Sequence, residues 1–347
     1  MDIKSIPYDE FVSGDIGKIF GGKTFHLKQL YDWIHVKLAD SYDEMTNISV
    51  SAREELKKEY PLISLTPEME QISKFDGTRK YLFKLEDGNF IESVFMKYHH
   101  GNTVCISSQV GCRMGCRFCA STIGGLTRNL RTSEMLDQIY KIQKITGERI
   151  SNVVVMGTGE PLDNYDNLVN FIRMLSDEHG LNLSQRNITV STCGIVPNMR
   201  KLADEEFSIT LALSLHASTQ QIREQLLPIS KKYYLDDVLD ACDYYFEKTG
   251  RRITFEYALV AGVNDTEEDA RNLIGLIGGK NCHMNLIPVN PIRERSFVRP
   301  KRKEAENFRD RLIKGGINAT IRRELGSDID GACGQLRKRR EEGKTVE

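Results

Sequence analysis

Three closely spaced cysteines are the residues of this sequence best suited to chemistry. Cys112, Cys116 and Cys119 lie in the run GCRMGCRFCA, with three residues between the first pair and two between the second. A structural zinc or a fully ligated iron-sulfur cluster normally has four protein ligands, so three thiolates predict a [4Fe-4S] cluster with one iron open to a small molecule. The alternative is a zinc site that takes its fourth ligand from Cys105 or a histidine. Zinc sites usually pair a C-x2-C knuckle with a second distant pair, which disfavours this alternative.

Phe118 stands directly before the last of these cysteines. It completes the pattern C-x3-C-x-aromatic-C, by which the segment resembles the radical S-adenosylmethionine (SAM) enzymes. The resemblance implies that the amino and carboxylate groups of SAM chelate the open iron. It also implies that one electron from the cluster splits SAM into a 5′-deoxyadenosyl radical.

The elements that must position this loop follow a repeating pattern from Thr103 onward. Apolar, β-branched runs alternate with amphipathic helical runs, and the predicted strands are TVCISS, NVVVMG, NITVST, SITLALSL, RITFEYALV and HMNLIPV. Six βα units predict a parallel sheet that either winds on both faces or curls into part of a (βα) barrel. Periodicity does not choose between the two, but ligands bind at the carboxyl ends of the strands in both.

Several small or hydrogen-bonding residues follow these predicted strands. The second strand ends in GTGEP, residues 157–161, where glycines allow close backbone approach and Glu160 can accept hydrogen bonds from an ammonium group. Each of these residues alone is more typical of an ordinary loop or cap, but their joint placement favours a binding site. The others are Ser191, Ser214, His216 and Asn290.

Two further elements precede the predicted sheet. The runs FHLKQLYDWIHVKL and VSAREELKKEY have apolar positions at helical spacing and predict a small helical unit. The runs YLFKL and IESVFMK, separated by the turn-prone EDGN, predict a β-hairpin that links this unit to the main domain.

Composition places the chain among proteins with one large domain, or one large and one small. It has 347 residues, 40% of them hydrophobic and 28% charged, and no apolar run approaches the roughly 20 residues that span a bilayer. The N-terminus MDIKSIPYDEF has no signal-peptide pattern, so we expect a cytoplasmic protein. Eight cysteines with irregular spacing then indicate metal binding or catalysis rather than disulfides.

Positive charge is concentrated toward the C-terminus. The net charge is −1, but from Arg293 onward 16 Lys and Arg stand against 10 Asp and Glu. The clusters PKRK (300–303), IRR (321–323) and RKRR (337–340) can bind phosphate backbones. A solvated surface and tail explain the same charge equally well.

Two cysteines outside the cluster loop and one glutamate complete the candidates. Cys105 lies in the first strand, where cysteines are commonly inert core residues. Cys333, in DIDGACGQL, stands in a glycine-rich context that is typical of an exposed loop. Glu92, in the hairpin strand IESVF, has a solvated residue on an edge strand as its ordinary interpretation.

From about Phe25 to Arg340 the sequence resembles the RlmN/Cfr class of radical SAM RNA methyltransferases. The motifs that carry the resemblance occur in family order: QLYDWI, DEMTN, CISSQVGC, GCRFCA, GEPL, STCGIVP, LSLHA, GVND, NLIPVNP and DGACGQL. Pro161 in GEPL favours the RlmN branch, which methylates carbon 2 of adenine, over the Cfr branch, which methylates carbon 8 of the same ribosomal adenosine. Thr158 departs from the methionine that is usual between the two glycines, which puts only local packing in doubt.

The resemblance implies a fold and four segments. The fold is α/β, a partial (βα)6 TIM-like radical SAM barrel with a small N-terminal helical domain and a linking β-hairpin. Residues 1–70 would be the helical, RNA-binding domain, and 71–102 the hairpin that carries a catalytic base. Residues 103–320 would be the barrel, and 321–347 the C-terminal segment with a methyl-carrying cysteine and a basic tail.

The resemblance also implies a role for each candidate residue. Cys333 would be methylated by a first SAM, Glu92 would be the proton acceptor, and Cys105 would resolve the protein–RNA adduct through a disulfide with Cys333. Cys112, Cys116 and Cys119 would hold the [4Fe-4S] cluster. The implied SAM contacts are Gly159, Glu160, Ser191, Ser214, Leu215, His216 and Asn290.

The implied partners are RNA, namely 23S rRNA and tRNA, and a one-electron reductant such as flavodoxin or ferredoxin. We expect a monomer that consumes two SAM per methyl group. Two other classes remain. A radical SAM enzyme acting on a small molecule or peptide would not need Cys105 or Cys333. A zinc-dependent RNA-binding protein would keep the basic end and the helical unit but would have no cluster.

Overall fold

The computed structural model describes residues 2–290 and 295–329. Cys333 and the basic cluster at 337–340 lie outside these ranges. The helices are α1 Tyr8–Ser13, α2 Thr24–His35, α3 Val50–Glu59, α4 Thr132–Thr146, α5 Tyr165–Ser176, α6 Val196–Asp204, α7 Gln220–Leu226, α8 Leu235–Thr249, α9 Glu267–Ile277 and α10 Arg302–Lys314. The strands are β1 Thr66–Ile72, β2 Arg79–Lys84, β3 Phe90–Tyr98, β4 Gly101–Cys105, β5 Gln109–Gly111, β6 Leu126–Asn129, β7 Asn152–Val155, β8 Ile188–Thr192, β9 Thr210–Ser214, β10 Ile253–Leu259, β11 Cys282–Pro288 and β12 Ala319–Ile321.

The N-terminal helical unit has its own small core. In α2 the buried residues Leu27, Leu30, Tyr31 and Ile34 follow the i, i+3, i+4, i+7 spacing of an amphipathic helix. They pack with apolar residues of α1 and α3 in a cluster that is separate from the main core. The helical unit predicted from the sequence is therefore present.

The predicted hairpin is part of a larger antiparallel arrangement. Strands β2 and β3 pair as expected, and β3 pairs antiparallel with β4, so the hairpin continues into the main sheet. Strand β1 also pairs with β2, although the sequence analysis did not predict it. It begins at Thr66, inside the range assigned to the helical domain. Its side chains are mostly exposed and it has an irregular register after Pro67, so it lacks the alternation that identifies a strand.

The order of the parallel strands decides the architecture. All six predicted parallel strands are present, and each is hydrogen-bonded to the next one along the chain, in the order β4-β7-β8-β9-β10-β11. A doubly wound sheet reverses its strand order at a switch point, and this series does not reverse. With right-handed crossovers, the helices cover one face and the sheet curls into a partial barrel. This confirms the predicted fold class.

One short strand extends the series beyond the prediction. Ala319, Thr320 and Ile321 pair in parallel with Met284, Asn285 and Leu286 of β11. This three-residue β12 is too short to show a period in the sequence. It directs the following residues, from Arg322 onward, toward the carboxyl end of the barrel.

Glycines end two of the crossover helices. Gly147 after α4 and Gly250 after α8 adopt left-handed conformations, with φ of 67° and 63°. Each caps the last turn and releases the chain toward the next strand. Among residues 2–290 and 295–329, no helix is both long enough and apolar enough to cross a membrane.

Candidate functional site

The cysteine loop follows β4 and is held closed by its own backbone. Strand β5 pairs antiparallel with β6, and the amide of Cys112 donates to the carbonyl of Gly125 at 2.9 Å. A side chain at Gly111 would place its Cβ 2.0 Å from that same carbonyl oxygen, and Gly111 has a φ of +78°. Only glycine fits there, so the loop geometry depends on the first glycine of GCRMGC.

The two later cysteines are tied together by one hydroxyl. Thr122 Oγ1 donates to the carbonyls of Cys116 and Cys119, at 3.1 and 3.0 Å. The amide of Cys119 also donates to the Cys116 carbonyl at 3.1 Å. These bonds fix the backbone at the two later cysteines of the loop.

The three thiols line one cavity with most of the predicted SAM contacts. The cavity has a volume of about 270 Å³ and lies at the carboxyl ends of the parallel strands. Its lining includes Cys112, Cys116, Cys119, Gly159, Glu160, Ser191, Ser214, His216 and Asn290. We call it the cluster cavity. Leu215 is not part of the lining, because its side chain is fully buried in the core.

The chemistry of the donor set fits an iron-sulfur cluster. Burial raises the pKa of Cys112 to about 12 and raises the pKa of Cys116 well above its ordinary value. Iron binding would displace these protons, because soft thiolate ligands bind iron in the deprotonated form. Across the described parts of the chain, no three His, Cys, Asp or Glu side chains converge as ligands of a single ion.

The GTGEP turn lies directly against the cysteine loop. A Cβ on Gly157 would stand 2.7 Å from the carbonyl oxygen of Ile106, and one on Gly159 would stand 2.6 Å from Ser108 Oγ. Glu160 is thereby brought to the cavity wall, where its carboxylate accepts from the amides of Leu162 and Cys193, at 3.0 and 2.8 Å. Burial raises the pKa of this carboxyl. A ligand ammonium beside it would favour the ionised form.

His216 is held as a neutral ring in a left-handed backbone conformation. Its φ is +55°, and its Nδ1 accepts from the amide of Ala258 at 2.8 Å. Burial, with a smaller contribution from Arg223, lowers its pKa to about 3. Because Nδ1 accepts, the proton is on Nε2, which leaves an N–H donor on a residue of the cavity lining. Phe118 contacts the ring edge to face, with centroids 4.8 Å apart.

Sequence reasoning missed three charged residues at this site. Glu256 and Arg322 line the cluster cavity, and Arg223 is fully buried behind it. Glu256 is the single charged residue in the core strand ITFEYAL, and Arg223 stands three residues before the buried Leu226 on α7. A charged residue at a core-facing position was therefore the available signal. Arg322 had no comparable signal, because it stands in a basic run.

A second cavity, of about 390 Å³, adjoins the first. Cys105, at the end of β4, lines this second cavity and not the first, together with Val94, Met96 and Tyr98 of β3. We call it the Cys105 cavity. Both cavities share the lining residues Met156, Ile287, Asn290 and Arg322. The two cavities therefore meet at these four residues.

Glu92 lies on the same face of the sheet as Cys105. Val94 pairs directly with Cys105 across β3 and β4, and Glu92 is two residues before Val94, so the three side chains share one face. Glu92 is 4% exposed and forms an ion pair with Lys80, with Nζ and Oε2 3.0 Å apart. Its ordinary interpretation as a solvated edge residue is therefore wrong. Burial raises the pKa of Cys105, whereas the positive charges of Arg322 and Lys80 lower it.

The described chain ends beside the Cys105 cavity. Ile329 and residues 324–327 contribute to its lining, and Asp328 accepts from Ser73 Oγ at 2.6 Å and from the Lys74 amide at 2.8 Å. In return, Asp76 accepts from the Gly326 amide at 2.9 Å. Cys333 itself lies outside the described residues. The seven described cysteines are free thiols.

Two family models match the chain. The model described as Radical SAM superfamily matches residues 106–274, and the model described as Ribosomal RNA large subunit methyltransferase N-terminal domain matches residues 17–61. The first covers the cysteine loop and most of the parallel strands. The second covers α2 and α3.

Curated relatives match nearly the whole chain. A protein described as a probable dual-specificity RNA methyltransferase RlmN from Lachnospira eligens is 62% identical over 338 residues, which cover 97% of this chain and 96% of the relative. A protein with the same description from Clostridium novyi is 55% identical and covers 90% of this chain and 92% of the relative. The structure of a radical SAM methyltransferase from Sphaerobacter thermophilus superposes with a TM-score of 0.92 at 40% identity, covering 96% of this chain and 98% of that one.

Proposed function

The chain belongs to the RlmN family of radical SAM RNA methyltransferases, and from that premise we propose that it methylates carbon 2 of adenosine in both 23S rRNA and tRNA. The relatives carry the description of dual specificity. The ribosomal target would be an adenosine of the peptidyl-transferase centre, and the tRNA target the adenosine 3′ to the anticodon.

The observation that carries the proposal is the pair of adjoining cavities. The family implies a [4Fe-4S] cluster and SAM, and the cluster cavity holds three thiols and the GEP turn that suit them. The Cys105 cavity holds a fourth, separate thiol, which a radical SAM enzyme without a thiol relay would not require. This adjacency supports a reaction in which radical generation and thiol chemistry occur side by side.

The chemistry explains why two kinds of site are needed. Carbon 2 of adenine is electron-poor and does not attack an electrophilic methyl group, whereas a carbon radical can add to it. When bound, the cluster and SAM supply the methyl group and the radical that activates it. The residues of the chain then carry the methyl group, remove the ring proton and release the methylated RNA.

We assign these tasks to three residues. The thiolate of Cys333 accepts a methyl group from a first SAM by displacement. The S-methyl carbon, once converted to a radical, adds to the ring; the adduct would give up its unpaired electron to the cluster, and Glu92 removes the ring proton, which restores the aromatic ring. The thiolate of Cys105 then attacks the sulfur of Cys333, so that an S–S bond forms as the S–C bond breaks; the electron pair of that bond stays on the methylene carbon, which takes up a proton to become the methyl group.

The position of the described C-terminus supports the pairing of Cys105 with Cys333. Ile329 contributes to the cavity that Cys105 lines. Cys333 follows Ile329 by four residues in the sequence, and an extended chain spans at most about 3.6 Å per residue. A segment of this length can bring one thiol to the other.

The buried ion pair of Glu92 supports its role as the base. The ion pair with Lys80 fixes the position of the Glu92 carboxylate, and a carboxylate can accept a proton. The same face presents Cys105, so the base and the resolving thiol approach a bound ring from one side.

The remaining assignments complete the proposal. The helical unit of residues 1–70 and the basic residues after 300 bind RNA, and the hairpin of 71–102 delivers Glu92 to the barrel of 103–320. Residues 321–347 deliver Cys333. A one-electron reductant such as flavodoxin or ferredoxin donates electrons to the cluster. The enzyme acts in the cytoplasm, where its RNA substrates are. It acts as a monomer and consumes two SAM per methyl group.

The decisive experiment is mass spectrometry of nucleosides from a deletion strain and from the same strain complemented with the gene. We expect 2-methyladenosine in 23S rRNA and tRNA to disappear on deletion and to return on complementation. Methylation at carbon 8 would assign the chain to the Cfr type instead, against the indication from Pro161. Unchanged nucleosides in both RNAs would overturn the proposal.

A further inference from the structure

Arg223 joins two strand ends behind the cluster cavity. Its Nη1 donates to the carbonyls of Ser214 and Leu215, at 3.0 and 2.5 Å, and its Nη2 donates to the carbonyl of Cys193 at 2.7 Å. Ser214 ends β9, and Cys193 directly follows β8. One guanidinium therefore fixes the backbone from which two neighbouring residues of the cavity lining project.

The positive charge of Arg223 is fully buried and has no carboxylate partner within the described ranges. Its exposed fraction is 0%, and its Nε has no hydrogen-bond partner there. The ionisable groups that interact with it electrostatically include the thiols of Cys193, Cys116 and Cys242 and the neutral ring of His216, and none of these is a carboxylate. A buried guanidinium is ordinarily paired with an anion, because desolvation of an unpaired charge is costly.

A glycine makes room for this guanidinium. Gly194 follows Cys193, has a φ of +101°, and a Cβ at this position would stand 3.2 Å from Arg223 Nη2 and 3.0 Å from two carbons of Val238. A side chain here would press on the guanidinium and strain the turn. In the STCG motif, Ser191 thus lines the cavity, and Gly194 leaves room for the guanidinium of Arg223.

We propose that Arg223 is a positioning residue that acts on the cluster in two ways. Its hydrogen bonds hold the ends of β8 and β9 in the arrangement that binds SAM. Its charge lies directly behind Cys193 of the cavity wall, interacts electrostatically with Cys116, and favours the reduced, more negative form of the cluster. This inference rests on the proposed cluster at Cys112, Cys116 and Cys119.

The electrostatic part follows from the charge of the centre. Three thiolates give the cluster site excess negative charge, and reduction adds one more electron. A positive charge in a region of low dielectric lowers the free energy of the reduced state more than that of the oxidised state. Removal of the charge should therefore shift the reduction potential to more negative values.

The experiment compares three variants with the wild-type protein, each reconstituted anaerobically with iron and sulfide. Arg223→Gln removes the charge and keeps donors for a carbonyl. Arg223→Lys keeps the charge but does not supply the fork that binds three carbonyls. Arg251→Gln is the matched control, because Arg251 donates to the Ile209 carbonyl and to Thr210 Oγ1 at the opposite end of β9. Iron content, the reduction potential from an EPR-monitored titration and the Kd for SAM are measured for each.

We expect Arg223→Gln to have a more negative potential than the wild-type protein and Arg251→Gln to have an unchanged one. Arg223→Lys should keep the potential near that of the wild type while its Kd for SAM rises about tenfold, the effect of one lost hydrogen bond. An unchanged potential in Arg223→Gln overturns the electrostatic role. An unchanged Kd in Arg223→Lys overturns the positioning role.

Loss of the cluster from Arg223→Gln would still decide the question. Retention of iron by Arg223→Lys would then show that the charge is required, whereas equal loss of iron from both variants would reject the charge as the cause. The wild-type iron content tests the underlying cluster separately. A wild-type protein that takes up no iron would refute the proposed cluster, and a failure confined to the Arg223 variants would not.

Discussion

Cys105 and the cluster cysteines have different surroundings, although all four belong to the same 15-residue stretch of chain. Cys105 lines the larger cavity beside Glu92 and Lys80, whereas Cys112, Cys116 and Cys119 line the cavity with the GEP turn. Burial raises the pKa of Cys105, and the positive charges of Arg322 and Lys80 only partly offset that rise, so its thiolate, the form that attacks sulfur, is the minor form. Substitutions at the two places should therefore stop the reaction at different steps.

At the cluster loop, alanine at any one of Cys112, Cys116 or Cys119 should abolish both the cluster and the reductive cleavage of SAM. Each thiolate would bind a different iron, and no other described cysteine of the loop can replace it. Iron analysis of the triple variant should give none, against about four irons per chain for the wild type. Cys282→Ala is the control, since Cys282 lines neither cavity, and it should keep its iron. Four irons in the triple variant would refute the assignment.

At the Cys105 cavity, Cys105→Ala should accumulate a covalent protein–RNA adduct. Without this thiolate the S–C bond to the RNA is formed but not broken. Glu92→Gln should stall at or near the same adduct, because the amide does not accept the ring proton. Both glutamine and alanine break the buried ion pair with Lys80, but glutamine is preferred because it keeps the size of the side chain and an amide oxygen that can accept from Lys80.

A denaturing gel with labelled RNA checks this order of steps. Protein and RNA should migrate together for Cys105→Ala and separately for Cys282→Ala. Cys333→Ala should form the cluster but give neither methylated protein nor adduct. Free, fully methylated RNA from Cys105→Ala would contradict the assigned role.

At the scale of elements, the antiparallel strands β1–β3 contact both strand β4 and the chain that follows β12. Strand β3 carries Glu92 to the sheet beside β4, and the turn between β1 and β2 contacts the chain after β12. The carboxylate of Asp328 accepts from Ser73 and Lys74, and Asp76 accepts from Gly326. This turn therefore fixes the segment that leads to Cys333.

Asp328→Ala should reduce the rate of RNA methylation without affecting the cluster. The substitution removes both hydrogen bonds to the β1–β2 turn, so the segment that we propose to carry the methyl group would be held less well against its target. A displacement of about 1 Å can lower a rate up to roughly 100-fold. Methyl transfer to RNA should fall several-fold, while iron content remains that of the wild type. Asp310→Ala, on the exposed face of α10, serves as the control, and an equal loss of rate in both variants would contradict the role of the turn.

At the scale of the whole molecule, the helical unit is fixed to the barrel through α4. Lys4 forms a buried ion pair with Asp137, with Nζ and Oδ1 2.6 Å apart, and His35 Nδ1 forms a hydrogen bond with the Tyr140 hydroxyl at 2.8 Å. Burial, followed by the charge of Lys4, lowers the pKa of His35 to about 3. The histidine is thus neutral in the folded protein at physiological pH.

This histidine should make stability depend on pH. Between its unfolded pKa of about 6.5 and its folded value, the unfolded chain binds a proton that the folded chain does not, so stability falls as the pH falls. The contribution approaches about 1.4 kcal/mol per pH unit. His35→Gln can keep a bond to Tyr140 but does not titrate, so its unfolding free energy should decline less steeply between pH 6.5 and 5. Denaturant unfolding of both proteins, with the exposed His99→Gln as the control, measures the difference, and equal slopes for the wild type and His35→Gln would contradict it.

The sequence by itself determined the parts that depend on local spacing. The cysteine triplet, the strand-end motifs, the six parallel strands, the helical unit and the hairpin were all predicted, because side-chain period and residue spacing are properties of short stretches of chain. The family resemblance was confirmed by relatives that match nearly the whole chain. The roles given to individual residues remain predictions.

Only the tertiary structure decided which parts come together. The order of the strands selected the partial barrel, pairing placed Glu92 beside Cys105, and burial identified Arg223 and Glu256. The tertiary structure also shows that the side chain of Leu215 does not line the cluster cavity, and it contains two strands, β1 and β12, that were not predicted. These features depend on register and on contacts between residues far apart in the chain, and local patterns carry no information about which distant partner a strand or a charge will find.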